Sequence, residues 1–166
     1  MSENLAEQMR QGMRRLASGV SVVTTVDENG TRLAMTASSV TSLSDSPPSL
    51  LVCIHKESYL SEAIQNTNKF SVNVLAAHQQ DISVQCSLPD ANVDRFALGH
   101  WMQHEVNGLY YLADALSVFH CKRESMMEYG THYIFIGDIE SVTVQGENVA
   151  PLVYLNGRYV QLEDSQ

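Results

Sequence analysis

Two Asn-Gly pairs, Asn29-Gly30 and Asn156-Gly157, each stand between two short strand-forming runs. A two-residue hairpin loop of the I′ kind needs positive φ at both central positions, which Asn and Gly tolerate better than other residues. The first pair follows a β-branched run over 20–26 and leads into a return strand over 32–38. The second joins 152–155 to 158–162. Further strand-like runs occupy 49–54, 70–75, 110–112, 115–123 and 133–144. Pro47-Pro48 has no place inside a ladder and closes a loop before 49–54. Helical spacing is confined to three stretches. Leu5, Met9, Met13 and Leu16 predict a helix over about 4–17, with Arg10, Arg14 and Arg15 near its C-terminal end and Gly19 as the stop. Leu60, Ala63, Ile64 and Thr67 predict a second with Ser58 as its cap, and 79–86 reads as a third. The fold class is mainly β with short helices, an antiparallel barrel or a sandwich, which alternation alone does not separate.

The 166 residues fit one domain over 1–166, with the N-terminal helix at about 4–17 and the β structure at about 19–162. With 44% hydrophobic and 17% charged residues, the composition is that of a soluble globular chain. Nothing approaches the roughly 20-residue apolar run of a membrane helix, and Met1-Ser2-Glu3-Asn4 lacks the basic start of a secretion signal. Cys53, Cys86 and Cys121 are widely scattered and odd in number, which favours buried thiols in a reducing compartment over a disulfide framework. The expected location is cytoplasmic. Nineteen acidic residues against ten basic ones leave a net charge of −9, unsuited to nucleic acid. A local phosphate site is still compatible, because backbone N–H groups and one cation suffice for it.

No Gly-x-Gly-x-x-Gly occurs, which disfavours a Rossmann dinucleotide domain, and no Gly-x-Ser-x-Gly marks an α/β-hydrolase. His100 and His104 would share a face if helical. The intervening Trp101 and Met102 are apolar and the metalloprotease Glu is missing, so no metal site is expected and packing histidines are the better reading.

Four segments in fixed order carry a resemblance: Thr36-Ala37-Ser38-Ser39, Asp45-Ser46-Pro47-Pro48, Phe70-Ser71-Val72-Asn73-Val74-Leu75 and Gly130-Thr131-His132. Together they resemble the short-chain flavin reductases, and above all the reductase components of two-component aromatic monooxygenases such as the 4-hydroxyphenylacetate 3-monooxygenase reductase. The resemblance runs from about Met13 to Leu162. It implies an FMN-binding split β-barrel, Greek-key-like and homodimeric. It also implies hydride transfer from NADH or NADPH to FMN or FAD, with the reduced flavin diffusing to a separate monooxygenase. The competing reading on the same fold is an FMN-binding electron carrier or sensor without free-flavin turnover.

The resemblance also distributes roles. Thr36, Ala37, Ser38 and Ser39 offer small side chains and hydroxyls for an isoalloxazine ring, or simply a close-packed strand end. In Cys53-Ile54-His55-Lys56-Glu57-Ser58, Lys56 and Ser58 are placed for the flavin phosphate beside a helix N-terminus, or form a solvated loop with an ordinary cap. Cys53 and Ile54 lead into that loop. Asn73 inside an apolar strand needs partners, from the ribityl chain or from a neighbouring loop. Ala76, Ala77 and Gln79 resemble a further flavin-facing segment. Asp94-Arg95-Phe96 resembles a family signature in which an Asp–Arg pair fixes a loop and Phe96 covers a ring. Tyr154, Arg158 and Tyr159 of the closing hairpin either reach a flavin or dinucleotide or complete the barrel. His132 is implied as the residue that positions the nicotinamide; relatives carry Gly-Asp-His or Gly-Thr-His there, and this chain has Thr131.

Overall fold

The structure is a computed structural model in which residues 2–146 and 148–163 are described. The chain runs α1 (Ser2–Met13), β1 (Ser18–Gly19), β2 (Ser21–Val26), β3 (Arg32–Ala37), β4 (Val40–Asp45), β5 (Pro48–His55), α2 (Tyr59–Thr67) and β6 (Lys69–Val74). A 3-10 turn (Ala77–Gln79) leads into α3 (Gln80–Ser87). There follow β7 (Trp101–Gln103), β8 (Tyr110–Leu112), β9 (Ser117–Tyr129), β10 (His132–Val144), β11 (Val153–Leu155) and β12 (Arg158–Val160). No described helix is long and apolar enough to cross a membrane.

Seven strands form an antiparallel sheet in the order β3-β2-β6-β9-β10-β5-β4. Its two edges, β3 and β4, are consecutive in sequence and joined only by Ser38 and Ser39. Three Cα steps span at most about 11 Å, so the sheet must curl until its edges nearly meet. No ladder pairs β3 with β4, so the barrel stays split at that seam. The other two sheets are β1-β11-β12 and the hairpin β7-β8.

β2 is buried at all six positions because both faces of the sheet are covered there. Val23 packs with Val52, Ile54, Phe70, Val72 and Phe135, into which α2 inserts Leu60 and Ile64. Val22 faces the opposite cluster, with Leu75, Ile82 of α3, Leu112, Val118 and Leu152. The buried hydroxyls of Thr24 and Thr25 donate to the carbonyls of Tyr110 (2.7 Å) and Lys69 (2.7 Å), which satisfies them.

Asn156 (φ 54°) and Gly157 (φ 76°) form the expected two-residue loop. At Asn29-Gly30 the expectation is corrected, since only Gly30 takes positive φ (79°). Asp27 Oδ1 accepts from the backbone N–H of Asn29 and Thr31, and Gly30 N–H donates to Asp27 O, so the aspartate organises a longer turn. The N-terminal helix ends at Met13, not 17, as i→i+3 bonds from Arg15 to Gly12 and from Leu16 to Met13 tighten the chain. β1, β4 and β7 have no counterpart among the sequence-predicted strands, and Gly19, expected as the helix stop, pairs with Val153 in β1. β4 is exposed along nearly its whole length, which removes the apolar alternation that marks a strand. β7 places a strand between His100 and His104, so the shared helical face does not arise.

Candidate functional site

Antiparallel register brings the separated sequence motifs to one end of the split barrel. His55 ends β5 and lies directly across from His132, which starts β10; their rings meet edge-to-face at 5.2 Å. Two steps inward Cys53 pairs with Ile134, and the Cys53 carbonyl accepts from the Ser39 hydroxyl (2.8 Å). Ser38, at the bend between β3 and β4, is exposed. Ser38, Ser39, Cys53, Lys56, Ser58 and His132 are therefore grouped where the barrel is split, whereas the Ile54 side chain is fully buried in the core. Along the seam, backbone donors and acceptors on the outer edges of β3 and β4 are not used in a ladder.

The β9–β10 hairpin turns through Gly130-Thr131, with positive φ at Gly130 (56°). Thr131 then serves two neighbours. Its carbonyl accepts from the Lys56 backbone N–H (3.0 Å) and its hydroxyl bonds His132 Nδ1 (2.8 Å). With Nδ1 so occupied, Nε2 is the ring nitrogen left to face outward. His55 is oriented likewise, its Nδ1 accepting from the Glu57 N–H (3.2 Å).

Ser58 caps α2: its hydroxyl accepts from Ser61 N–H (3.1 Å) and donates to the His55 carbonyl (2.9 Å). The Lys56 ammonium is bonded to Glu128 (2.5 Å), and that carboxylate pushes the lysine pKa up. The loop thus combines a cation with the N-terminal end of α2, a favourable place for a phosphate.

The closing hairpin approaches the seam from the other side. Thr36 donates its hydroxyl to the Ser83 carbonyl (2.6 Å), and the Ser83 hydroxyl bonds the Tyr159 hydroxyl (2.7 Å). Tyr159 meets the Tyr154 ring edge-on at 5.1 Å. A cavity of about 260 Å³ lies between Met9, Met13, Leu16, Ser38, Tyr154 and Leu155. Ala37 is buried beneath the seam, and Arg158 is exposed at the start of β12.

Four candidates lie elsewhere in the protomer. Asn73 is fully buried: Nδ2 donates to the Val22 carbonyl (2.9 Å) and Oδ1 accepts from Leu112 N–H (2.9 Å). Its amide ties β2 to β8, two strands rather than a loop. Ala76 and Gln79 are also buried; Gln79 Oε1 accepts the Ala76 N–H, while Nε2 has no partner among the described residues. Phe96 stacks edge-on with Trp101 (4.7 Å) beneath the Arg32 guanidinium (4.5 Å). The expected Asp94–Arg95 pair is corrected. Arg95 donates to the carbonyls of Leu88 and Asp90, and Asp94 instead accepts from Phe96 N–H.

His104 packs on His120 with ring centroids 4.3 Å apart. His55, Ser83 and Glu128 are additions from the structure. Only cross-strand register and the long α3 contact reveal them, and neither leaves a local motif.

The family model described as "Flavin reductase like domain" matches residues 13–163. The reductase component of the FADH(2)-dependent resorcinol hydroxylase of Rhizobium sp. (strain MTP-10005) is 38% identical, over 95% of this chain and 87% of that protein. The FMN reductase (NADH) RutF of Acinetobacter baylyi is 35% identical, over 92% of this chain and 79% of its own. Among solved structures, the NADH:FAD oxidoreductase SgcE6 of Streptomyces globisporus C-1027 superposes with a TM-score of 0.89 at 27% identity, covering 97% of this chain and 95% of that one. That enzyme has also been solved in complex with NAD and FAD fragments.

Proposed function

The chain belongs to the flavin reductase like domain family, and from that membership we propose how its own residues carry out NAD(P)H:flavin oxidoreduction. It is a flavin reductase that supplies reduced flavin to a partner monooxygenase, with FMN or FAD as acceptor. NADH is the donor named for its relatives. The observation that carries the residue assignment is the convergence of Ser38-Ser39, the 53–58 loop and His132 at the open seam.

The donor set fits a flavin. A flat ring needs a slot lined by small residues with hydrogen-bond donors at its rim, and the seam offers Ser38, Ser39 and backbone groups free of a ladder. A flavin phosphate needs a cation and N–H groups, and Lys56 and the N-terminal end of α2 meet that need. The nicotinamide supplies a hydride and the flavin accepts it, so the protein contributes orientation and no nucleophile. His132, anchored through Nδ1 by Thr131, keeps Nε2 available to hydrogen-bond a nicotinamide carboxamide and would so orient that ring for hydride transfer. Tyr154 of the closing hairpin borders the cavity that Ser38 also lines, with the Tyr159 ring edge-on against it. An exposed, shallow seam suits a flavin that must leave after reduction.

The working unit is a homodimer of a single-domain chain. The support is apolar surface left uncovered by the protomer: the α1 stripe of Leu5, Met9 and Met13, and Leu16 just after the helix, are all exposed.

The test is NADH oxidation by the purified protein with and without added FMN or FAD. Rapid oxidation that scales with free flavin is expected. No oxidation in any combination, with flavin nevertheless bound, would replace the reductase by a carrier or sensor.

A further inference from the structure

We propose that Glu128 is a built-in competitor for the flavin phosphate, holding Lys56 until an incoming phosphate displaces it. This rests on the reading that Lys56 and the α2 N-terminus receive that phosphate.

The pair is not a contact between sequence neighbours. Lys56 follows β5, Glu128 lies near the end of β9, and β10 runs between those strands. Tyr133 of β10 is paired with Ile54 on one side and Glu128 on the other. The two side chains therefore meet across a full strand, spanning on the order of 10 Å between backbones. Both backbones are fixed there, Glu128 by the β9–β10 ladder and Lys56 by its N–H bond to the Thr131 carbonyl. The ion pair thus lies beside the 53–58 loop, bridging over Tyr133 to the β9 side of β10.

Glu128 is largely exposed and Lys56 about one-third exposed (side chains 60% and 31%). An ion pair of this kind is weak in water. A phosphate dianion that also gains N–H donors at α2 can displace the carboxylate, yet it must overcome the prior claim on Lys56 and repulsion from Glu128. The result is a phosphate site with lowered affinity, which favours release of reduced flavin over retention.

The experiment compares dissociation constants of FMN and riboflavin for the wild type, Glu128→Gln and Lys56→Met at fixed ionic strength, with thermal melts to verify folding. Glu128→Gln is expected to bind FMN roughly three- to tenfold more tightly, to release it correspondingly more slowly, and to leave riboflavin affinity unchanged. Unchanged or weakened FMN binding in Glu128→Gln, while Lys56→Met still loses FMN, would overturn the competitor and leave the phosphate site standing. If Lys56→Met binds FMN like the wild type, the phosphate reading fails and the competitor with it. A lower KM for NADH in Glu128→Gln at unchanged FMN affinity would assign the pair to the dinucleotide pyrophosphate and overturn the flavin assignment.

Discussion

His132 occupies the first position of β10, with Nδ1 bonded to Thr131 and its ring braced against His55. A side chain that only orients a bound ring should affect productive geometry far more than flavin binding. His132→Ala is therefore expected to lower kcat/KM for NADH roughly 10- to 100-fold with little change in flavin affinity; equal losses in both would make it a flavin ligand instead. His120 is a different kind of histidine. Buried on β9 and bonded to Ser71 (2.6 Å), it is pushed down by burial and by neighbouring His104 from 6.5 to about 4. Between those values the unfolded chain binds a proton that the folded chain refuses, so stability falls as pH drops from about 6.5 to about 4 and is unaffected by this group above that window. The loss should approach about 3 kcal/mol. Denaturant midpoints across that range should show a shallower pH slope in His120→Asn than in the wild type.

At the scale of elements, β10 needs Gly137. A Cβ there would lie 2.6 Å from Phe70 Cζ and 2.8 Å from Cys121 Cβ, so β10 crosses this part of the core only without a side chain. Phe70 and Cys121 are both buried, which leaves little room for relief. Gly137→Ala should cost about 1–3 kcal/mol, read as a lower melting temperature with unchanged FMN affinity per folded molecule. That glycine is invisible in a single sequence, where 133–144 reads simply as a strand. Strands with β-branched, buried runs, such as β2, were legible because burial leaves its mark on composition. β4 was not, because an exposed edge strand needs no apolar alternation, and Val40 and Leu43 stand three apart among polar residues. The same divide holds at the site. Ser38-Ser39, Lys56, Ser58 and His132 belong to local motifs, whereas His55 opposite His132 and Glu128 beside Lys56 are consequences of register. Asn73 was legible as a buried amide, but whether its partner is ligand or backbone depended on where β8 packs.

Over the whole molecule, the seam and α1 pose one problem together. A curled sheet with edges joined by two residues leaves β4 outside, and α1 lies near the closing hairpin with its apolar stripe left largely exposed by the protomer. Leu5, Met9, Met13 and Leu16 are each more than half exposed, although their spacing is that of a helix built to bury one face. The cavity between Met9, Met13, Ser38 and Tyr154 joins that stripe to the seam. A second copy covering α1 would therefore also border the flavin opening, so assembly and flavin affinity should be linked. Met9→Asp combined with Met13→Asp places two charges in the contact without touching the protomer core. The double variant should run as a monomer in light scattering where the wild type runs as a dimer, and bind FMN more weakly while keeping its melting transition. A wild type that is monomeric at high concentration would remove the dimer. A double variant that stays dimeric would move the contact away from α1, and a monomer with undiminished FMN affinity would show that each seam is complete within its own chain.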